Sequence, residues 1–170
     1  ERFDLVKQYY HKLTGNLDEV GFDNSTFLSE KCHADRNISL AYYMRESGSF
    51  DGDQTQNSMT EHLDLYFQCC SIGINCKQGS IIAGTWANSG TCPVTHDKVF
   101  KPDTVRDCLS LMYMCGMYDF SGQFAFEIGL PAKSGVSGCL FLVIPGKMGI
   151  CIWSPRLDNM GNSVRGVEFC

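Results

Sequence analysis

Residues able to do chemistry concentrate between Tyr118 and Gly138. A tyrosine on a turn, Tyr118-Asp119, is followed by Lys133-Ser134-Gly135, which opens a run of strand-forming residues. Lys133 offers a point charge to an anionic ligand group. Gly135 lets a ligand approach the backbone closely. The peptide N–H of Val136 then points outward as a donor to a developing oxyanion. The Tyr118 hydroxyl becomes a proton shuttle where a nearby lysine lowers its pKa. Three-residue matches are common by chance, so the triplet alone also reads as a polar strand entry, and Tyr118 as a surface aromatic on a loop.

A second set lies upstream. Glu30 and Asn37 are seven residues apart and share a face if the chain is helical across them. A carboxylate beside an amide suits a zwitterionic amino acid, the acid for its ammonium and the amide for its carboxylate. The same two residues also read as solvated polar groups near a helix start. Tyr66, within Leu63-Asp64-Leu65-Tyr66-Phe67, reads locally as part of a core stripe.

The elements that must position these residues come from a chain of 170 residues, one ordinary domain or a large piece of one. An apolar fraction of 44% and an aromatic fraction of 12% are enough for a buried core. The net charge of −5, without a basic stripe, favours neither nucleic acid nor an anionic membrane. No apolar run reaches membrane-spanning length. The ten cysteines lack the paired spacing of a zinc site, and the four histidines are scattered. They are expected to be mostly reduced thiols used as small apolar residues, with no metal. The opening Glu1-Arg2-Phe3-Asp4 and the closing Phe169-Cys170 suggest cuts through a longer protein.

Periodicity predicts a helix over residues 2–14, ended by Gly15-Asn16. It predicts a short helix over 25–31, and another capped by Asp35 and running through Ile38 to Met44. Residues 47–57 read as a loop. Ser58 to Glu61 has the pattern of a capping box opening a helix through Cys70. Residues 79–88 read as a helix rich in small side chains, and 90–101 as a loop. Pro102 opens a helix that Gly116 stops. Cys139 to Ile144, Pro145-Gly146 and Met148 to Trp153 read as an antiparallel hairpin. Residues 154–163 read as a loop. The result is an α+β fold whose hairpin asks for more sheet, expected from outside the chain or from a partner.

Together these residues resemble glutaminase of the serine-dependent, β-lactamase-like type. The similarity is strongest over Cys115 to Phe126 and Gly129 to Val136. It continues through Trp153-Ser154-Pro155 and Met160 to Val164, and earlier through Val20-Gly21-Phe22, Ser29-Glu30, Asp35-Arg36-Asn37 and Tyr66-Phe67-Gln68. The Cys-Gly-Met-Tyr wording looks like the animal enzymes. The resemblance implies a partial β-lactamase/penicillin-binding-protein-like fold, a helical cluster packed with a C-terminal antiparallel sheet. It implies that residues 1–170 are a single partial domain, the C-terminal half of a glutaminase catalytic domain. The implied reaction is hydrolysis of L-glutamine to L-glutamate and ammonia through a glutamyl-serine intermediate, without cofactor or metal.

By position, Glu30, Asn37, Tyr66, Tyr118 and the backbone of Val136 fall on the family's glutamine-binding positions. Tyr66 and Tyr118 fall beside its nucleophile, and Lys133, Ser134 and Gly135 form the supporting strand. A homotetramer that binds L-glutamine and a mitochondrial location, or otherwise a cytoplasmic one, are implied likewise; the charge pattern adds the expectation of no nucleic-acid or membrane partner. The family's Ser-x-x-Lys pair has no counterpart, because no serine here precedes a lysine by three residues. The segment by itself is therefore expected to be inactive. Two alternatives stay open: a β-lactamase or penicillin-binding-like acyl transferase, and a truncated, non-catalytic interaction subunit.

Overall fold

The apolar residues at helical spacing near the start form α1 (Arg2–Leu13), closed by Gly15 and Asn16, both at positive φ. The computed structural model describes residues 2–17, 19–50 and 56–170. The chain continues through β1 (Gly21–Phe22), α2 (Asn24–Cys32), α3 (Asp35–Glu46), α4 (Gln56–Cys70) and β2 (Ile72–Gly73). Then follow α5 (Cys76–Ala87), α6 (Pro102–Cys115), a single 3-10 turn at Tyr118–Phe120, and α7 (Ser121–Glu127). The chain ends with β3 (Ala132–Ser134), β4 (Cys139–Ile144), β5 (Met148–Trp153) and α8 (Val164–Phe169).

Two compact units result: Glu1–Gln8 with Val20–Gly73, and Tyr9–Glu19 with Ile74–Cys170. In the first, β1 and β2 pair antiparallel, Gly21 opposite Gly73. Helix α2 starts where the Asp23 carboxylate accepts hydrogen bonds from the Ser25 and Thr26 amides at 2.9 and 3.3 Å. The hydroxyl of Thr26 adds a third bond at 2.9 Å. These bonds, that of the hydroxyl first, hold the Asp23 carboxyl below its usual value. Met59 and Phe67 of α4 are buried, whereas α2 buries no residue and α3 only Ala41.

Local details depart from expectation here. Asp35 does not cap α3: Ala34 holds the cap position, and Asp35 lies in the first turn, where a carboxylate complements the helix dipole. Helix α4 begins at Gln56, so Ser58 lies inside it, and Ser58 Oγ and His62 Nδ1 are 3.4 Å apart. The expected loop over 47–57 is correspondingly shorter, and residues 51–55 lie outside the described ones.

The second unit is organised by its sheet, in the order β3-β4-β5. The hairpin falls where the sequence places it, Cys139 opposite Trp153 and Ile144 opposite Met148. Its expected extra strand is in the chain itself: Ala132 to Ser134 pairs with Leu142 to Leu140. Leu140 and Leu142 face a core of Met117, Phe120, Phe124 and Ala132, joined by Ile150 and Ile152. The alternating residues of β4 and β5 turn to α5. Helix α5 can lie this close because Gly149 and Gly79 have no side chain. A Cβ on Gly149 would overlap the Ala83 backbone, and one on Gly79 would overlap Cys151 Sγ. A sheet buried on both faces explains the continuous apolar run of β4.

Helix α5 begins three residues earlier than expected, at a reciprocal cap. The Gln78 amide donates to Asn75 Oδ1 at 2.9 Å, and the Asn75 amide donates to Gln78 Oε1 at 3.0 Å. Helix α6 opens on Pro102 and ends at Gly116 as expected. Gly116 has an ordinary right-handed backbone, however, and is required for space: a Cβ would overlap the Ala132 carbonyl oxygen. The short helices α7 and α8 and the pair β1–β2 are too brief to carry a periodic signal.

All ten cysteines are unbridged. Only Cys92 is fully buried, while Cys32, Cys70, Cys76 and Cys115 are exposed, so apolar filler does not describe the set. Among the described residues no group of three or more His, Cys, Asp or Glu side chains is placed to hold a metal ion. No helix among them is long and apolar enough to cross a membrane.

Candidate active site

In the second unit the structure brings Tyr118 and Lys133 together. Tyr118 is on the 3-10 turn after α6 and Lys133 is on β3, the strand against which α6 ends. The Lys133 ammonium lies 4.9 Å from the centre of the Tyr118 ring. It also donates to the carbonyl of Ser134. A cation over an aromatic face is attracted by the ring quadrupole, and this contact holds both groups at one strand edge.

Tyr118 is 42% exposed and sits in the left-handed region at φ +54°. That conformation costs a bulky residue about 1–3 kcal/mol and persists only where its surroundings determine it. Here they do. The Met117 amide donates to Ser121 Oγ at 2.9 Å, and the Ser121 hydroxyl donates to the Tyr118 carbonyl at 2.6 Å. Asn162 Nδ2 donates to the Met117 carbonyl at 3.1 Å. Met117, Ser121 and Asn162 are all buried. Nothing in the local sequence announces Asn162; the only available signal is its place in the family-like run Met160 to Val164.

The supporting strand is fixed on its outer side, where the Ser134 amide donates to the Gly116 carbonyl at 2.9 Å. Ser134 Oγ is buried and has no hydrogen-bond partner among the described residues. Past the strand, the Gly135 amide donates to the Cys139 carbonyl at 2.9 Å. Nothing lies within 3.8 Å of where a Gly135 Cβ would be, which leaves its backbone approachable. Val136 is 67% exposed, and among the described residues its N–H has no backbone acceptor. A donor so placed can bind an anion from outside the chain.

The first unit carries Glu30, Asn37 and Tyr66. Glu30 is on α2 and Asn37 on α3, with a break at His33 and Ala34, so the chain is not helical across them. Both are half-buried. Tyr66 is not part of the core stripe: it is 53% exposed, and its neighbour Phe67 is the buried ring. The two rings meet edge to face at 5.7 Å. Helix α2 is tied to α4 by Lys31 Nζ and Asp64 Oδ1 at 2.8 Å, an exposed pair worth little by itself. A cavity of about 190 Å³ lies between the helices, lined by Ile38, Leu63 and Phe67 among others, but not by Glu30, Asn37 or Tyr66.

With this geometry in hand, similarity to known proteins is informative. The family model described as Glutaminase matches residues 1–170. The mouse protein named glutaminase liver isoform, mitochondrial, is 52% identical over 170 residues, all of this chain and 28% of its own length. The glutaminase of Trichormus variabilis is 42% identical over 170 residues, again all of this chain and 49% of its own length. Among solved structures, that of Mglu in its glutamate form superposes with a TM-score of 0.88 at 34% identity, over 100% of this chain and 37% of that one. Its native form gives the same score and identity over 99% of this chain and 39% of that one. The chain thus spans about a quarter of the animal relative and about half of the bacterial one.

Proposed function

This chain belongs to the glutaminase family, with a partial β-lactamase-like fold, and from that premise we propose that the protein carrying it hydrolyses L-glutamine to L-glutamate and ammonia. A serine hydroxyl attacks the side-chain carboxamide carbon. Ammonia leaves, and water then cleaves the glutamyl ester to give glutamate and restore the serine. No serine of these 170 residues precedes a lysine by three, so the nucleophile and its activating lysine belong to sequence outside them. The Val136 N–H contributes to the oxyanion hole. Tyr118 moves a proton at the leaving nitrogen, and Tyr66 assists at the nucleophile. Glu30 takes the substrate ammonium and Asn37 its α-carboxylate. A mitochondrial homotetramer completes the reading; the mouse relative's name supports the location.

The observation that carries this proposal is the Tyr118–Lys133 contact: a tyrosine held in a costly backbone conformation against a cation that lies close in the chain to Val136, whose exposed amide has no backbone acceptor among the described residues. Strain of that kind persists where position matters. The test is Tyr118→Phe in the full-length protein, which deletes the hydroxyl and keeps the ring over Lys133. Ammonia release from glutamine should fall in kcat by about 10²–10⁴-fold, the range for losing a general acid–base, with the melting temperature nearly unchanged. Unaltered kcat would return Tyr118 to the role of a surface aromatic. The 170-residue chain alone should release no ammonia, since a nucleophile and its base act as a unit.

A further inference from the structure

Beneath Tyr118 lies a buried polar buckle that the reaction as drawn does not use. Asn162 is fully buried. The Met117 carbonyl can only accept, which fixes the amide nitrogen of Asn162 towards it, at 3.1 Å. Asn162 is itself held on both sides of its backbone. Its N–H donates to Asp158 Oδ1 at 3.0 Å, and its carbonyl accepts from the Asp158 amide at 2.8 Å. The adjacent Gly161 stands against the same tyrosine: a Cβ there would touch ring carbons of Tyr118 at 3.8 Å. From the other side, Ser121 Oγ accepts from the Met117 amide and donates to the Tyr118 carbonyl. The peptide groups flanking Tyr118 are therefore held by two side chains that never reach the reacting atoms.

We propose that Asn162, together with Ser121, is a positioning residue that fixes Tyr118 in its left-handed conformation and so aims its hydroxyl. The proposal rests on the reading of Tyr118 as the proton-transfer group. One feature separates it from plain stabilisation. Asn162 Oδ1 is buried with no partner among the described residues. A buried orphan acceptor costs free energy and offsets much of what the bond to Met117 contributes to stability. An apolar residue of the same shape would remove that orphan and leave the Met117 carbonyl without its donor instead, one unpaired acceptor exchanged for another.

The experiment is a double-mutant cycle in the full-length protein with glutamine as substrate. Asn162→Leu removes the donor and the orphan oxygen at nearly constant shape. It should leave the melting temperature little changed and lower kcat by about 10–100-fold, the scale for a catalytic group displaced by around 1 Å. Introduced into the Tyr118→Phe background it should cost nothing further, because there is no hydroxyl left to aim. Losses that multiply would show that Asn162 acts elsewhere and overturn the inference. Unchanged kcat in Asn162→Leu, with Tyr118→Phe impaired, would overturn it while leaving the site reading intact. Unchanged kcat in Tyr118→Phe would remove the site reading and the inference with it. If Asn162→Leu does not fold, Ser121→Ala runs the same cycle and is decided by the same two patterns.

Discussion

Around Tyr118 the peptide groups on both sides meet buried partners, and the sheet below is covered on both faces. The helices that carry Glu30 and Asn37 bury little of themselves: α2 has no buried residue and α3 has one, with Ala34 buried between them. Leu28, Leu40, Tyr43 and Met44 stand exposed on those helices. The two regions carry residues of comparable chemical interest on supports of very different stiffness. Proton transfer demands placement within a fraction of an ångström. A charged substrate group is attracted from further away and tolerates a looser support. The difference in construction matches the difference in the tasks proposed for the two sets.

The comparison breaks most visibly if the second unit is not the rigid one. Gly149→Ala drives a methyl group into the α5 backbone, which has no side chain to swing aside. It should destabilise the second unit by roughly 3 kcal/mol or more, read by chemical denaturation. A shift below about 1 kcal/mol would mean that α5 and β5 have slack between them.

Next in size is Glu30→Gln in the full-length protein. Removing the partner of a desolvated substrate ammonium should lower kcat/KM by about 2–4 kcal/mol, with stability unchanged because α2 contributes no core residue. Wild-type kinetics would make Glu30 an ordinary surface carboxylate.

A smaller effect, of opposite sign, is expected in α7. Gly122 has nothing within 4 Å of a would-be Cβ and lies on a helix. Gly122→Ala should raise stability by about 0.5–1 kcal/mol, measured as a higher denaturation midpoint, by narrowing the unfolded ensemble.

The smallest effect is local to α2. The Asp23 carboxyl titrates below its ordinary value of 3.8, chiefly through the Thr26 hydroxyl. A depressed folded-state value means that the unfolded chain binds the proton more readily. The cap is therefore complete above the unfolded value and lost as pH falls through the folded one. Amide exchange at Ser25 and Thr26 should accelerate there, before the β4–β5 amides respond. Simultaneous loss in both regions would erase the contrast between them.

How much was legible from residues alone follows from the range of the signals. The β4–β5 hairpin was readable because two apolar runs flank Pro145-Gly146, and neighbouring residues carry that information. Pro102 and Gly116 marked the ends of α6 for the same reason. The family was readable from one long motif, Cys115 to Phe126, together with Gly129 to Val136.

Tertiary structure decided what depends on distant partners. That β3 completes the sheet within this chain rests on its register with β4. Tyr66 and Phe67 have nearly equal local claims to the core, and only packing made Phe67 the buried one. Gly116 terminates a helix in both descriptions, but its need for space comes from Ala132, across the loop and α7. The left-handed backbone of Tyr118 has no local signature, since tyrosine does not favour it; it exists because Asn162, 45 residues from Met117, reaches back to the preceding carbonyl. Short-range preferences set which elements form. Long-range hydrogen bonds and close backbone contacts set which side chains are aimed, and a linear pattern holds no record of them.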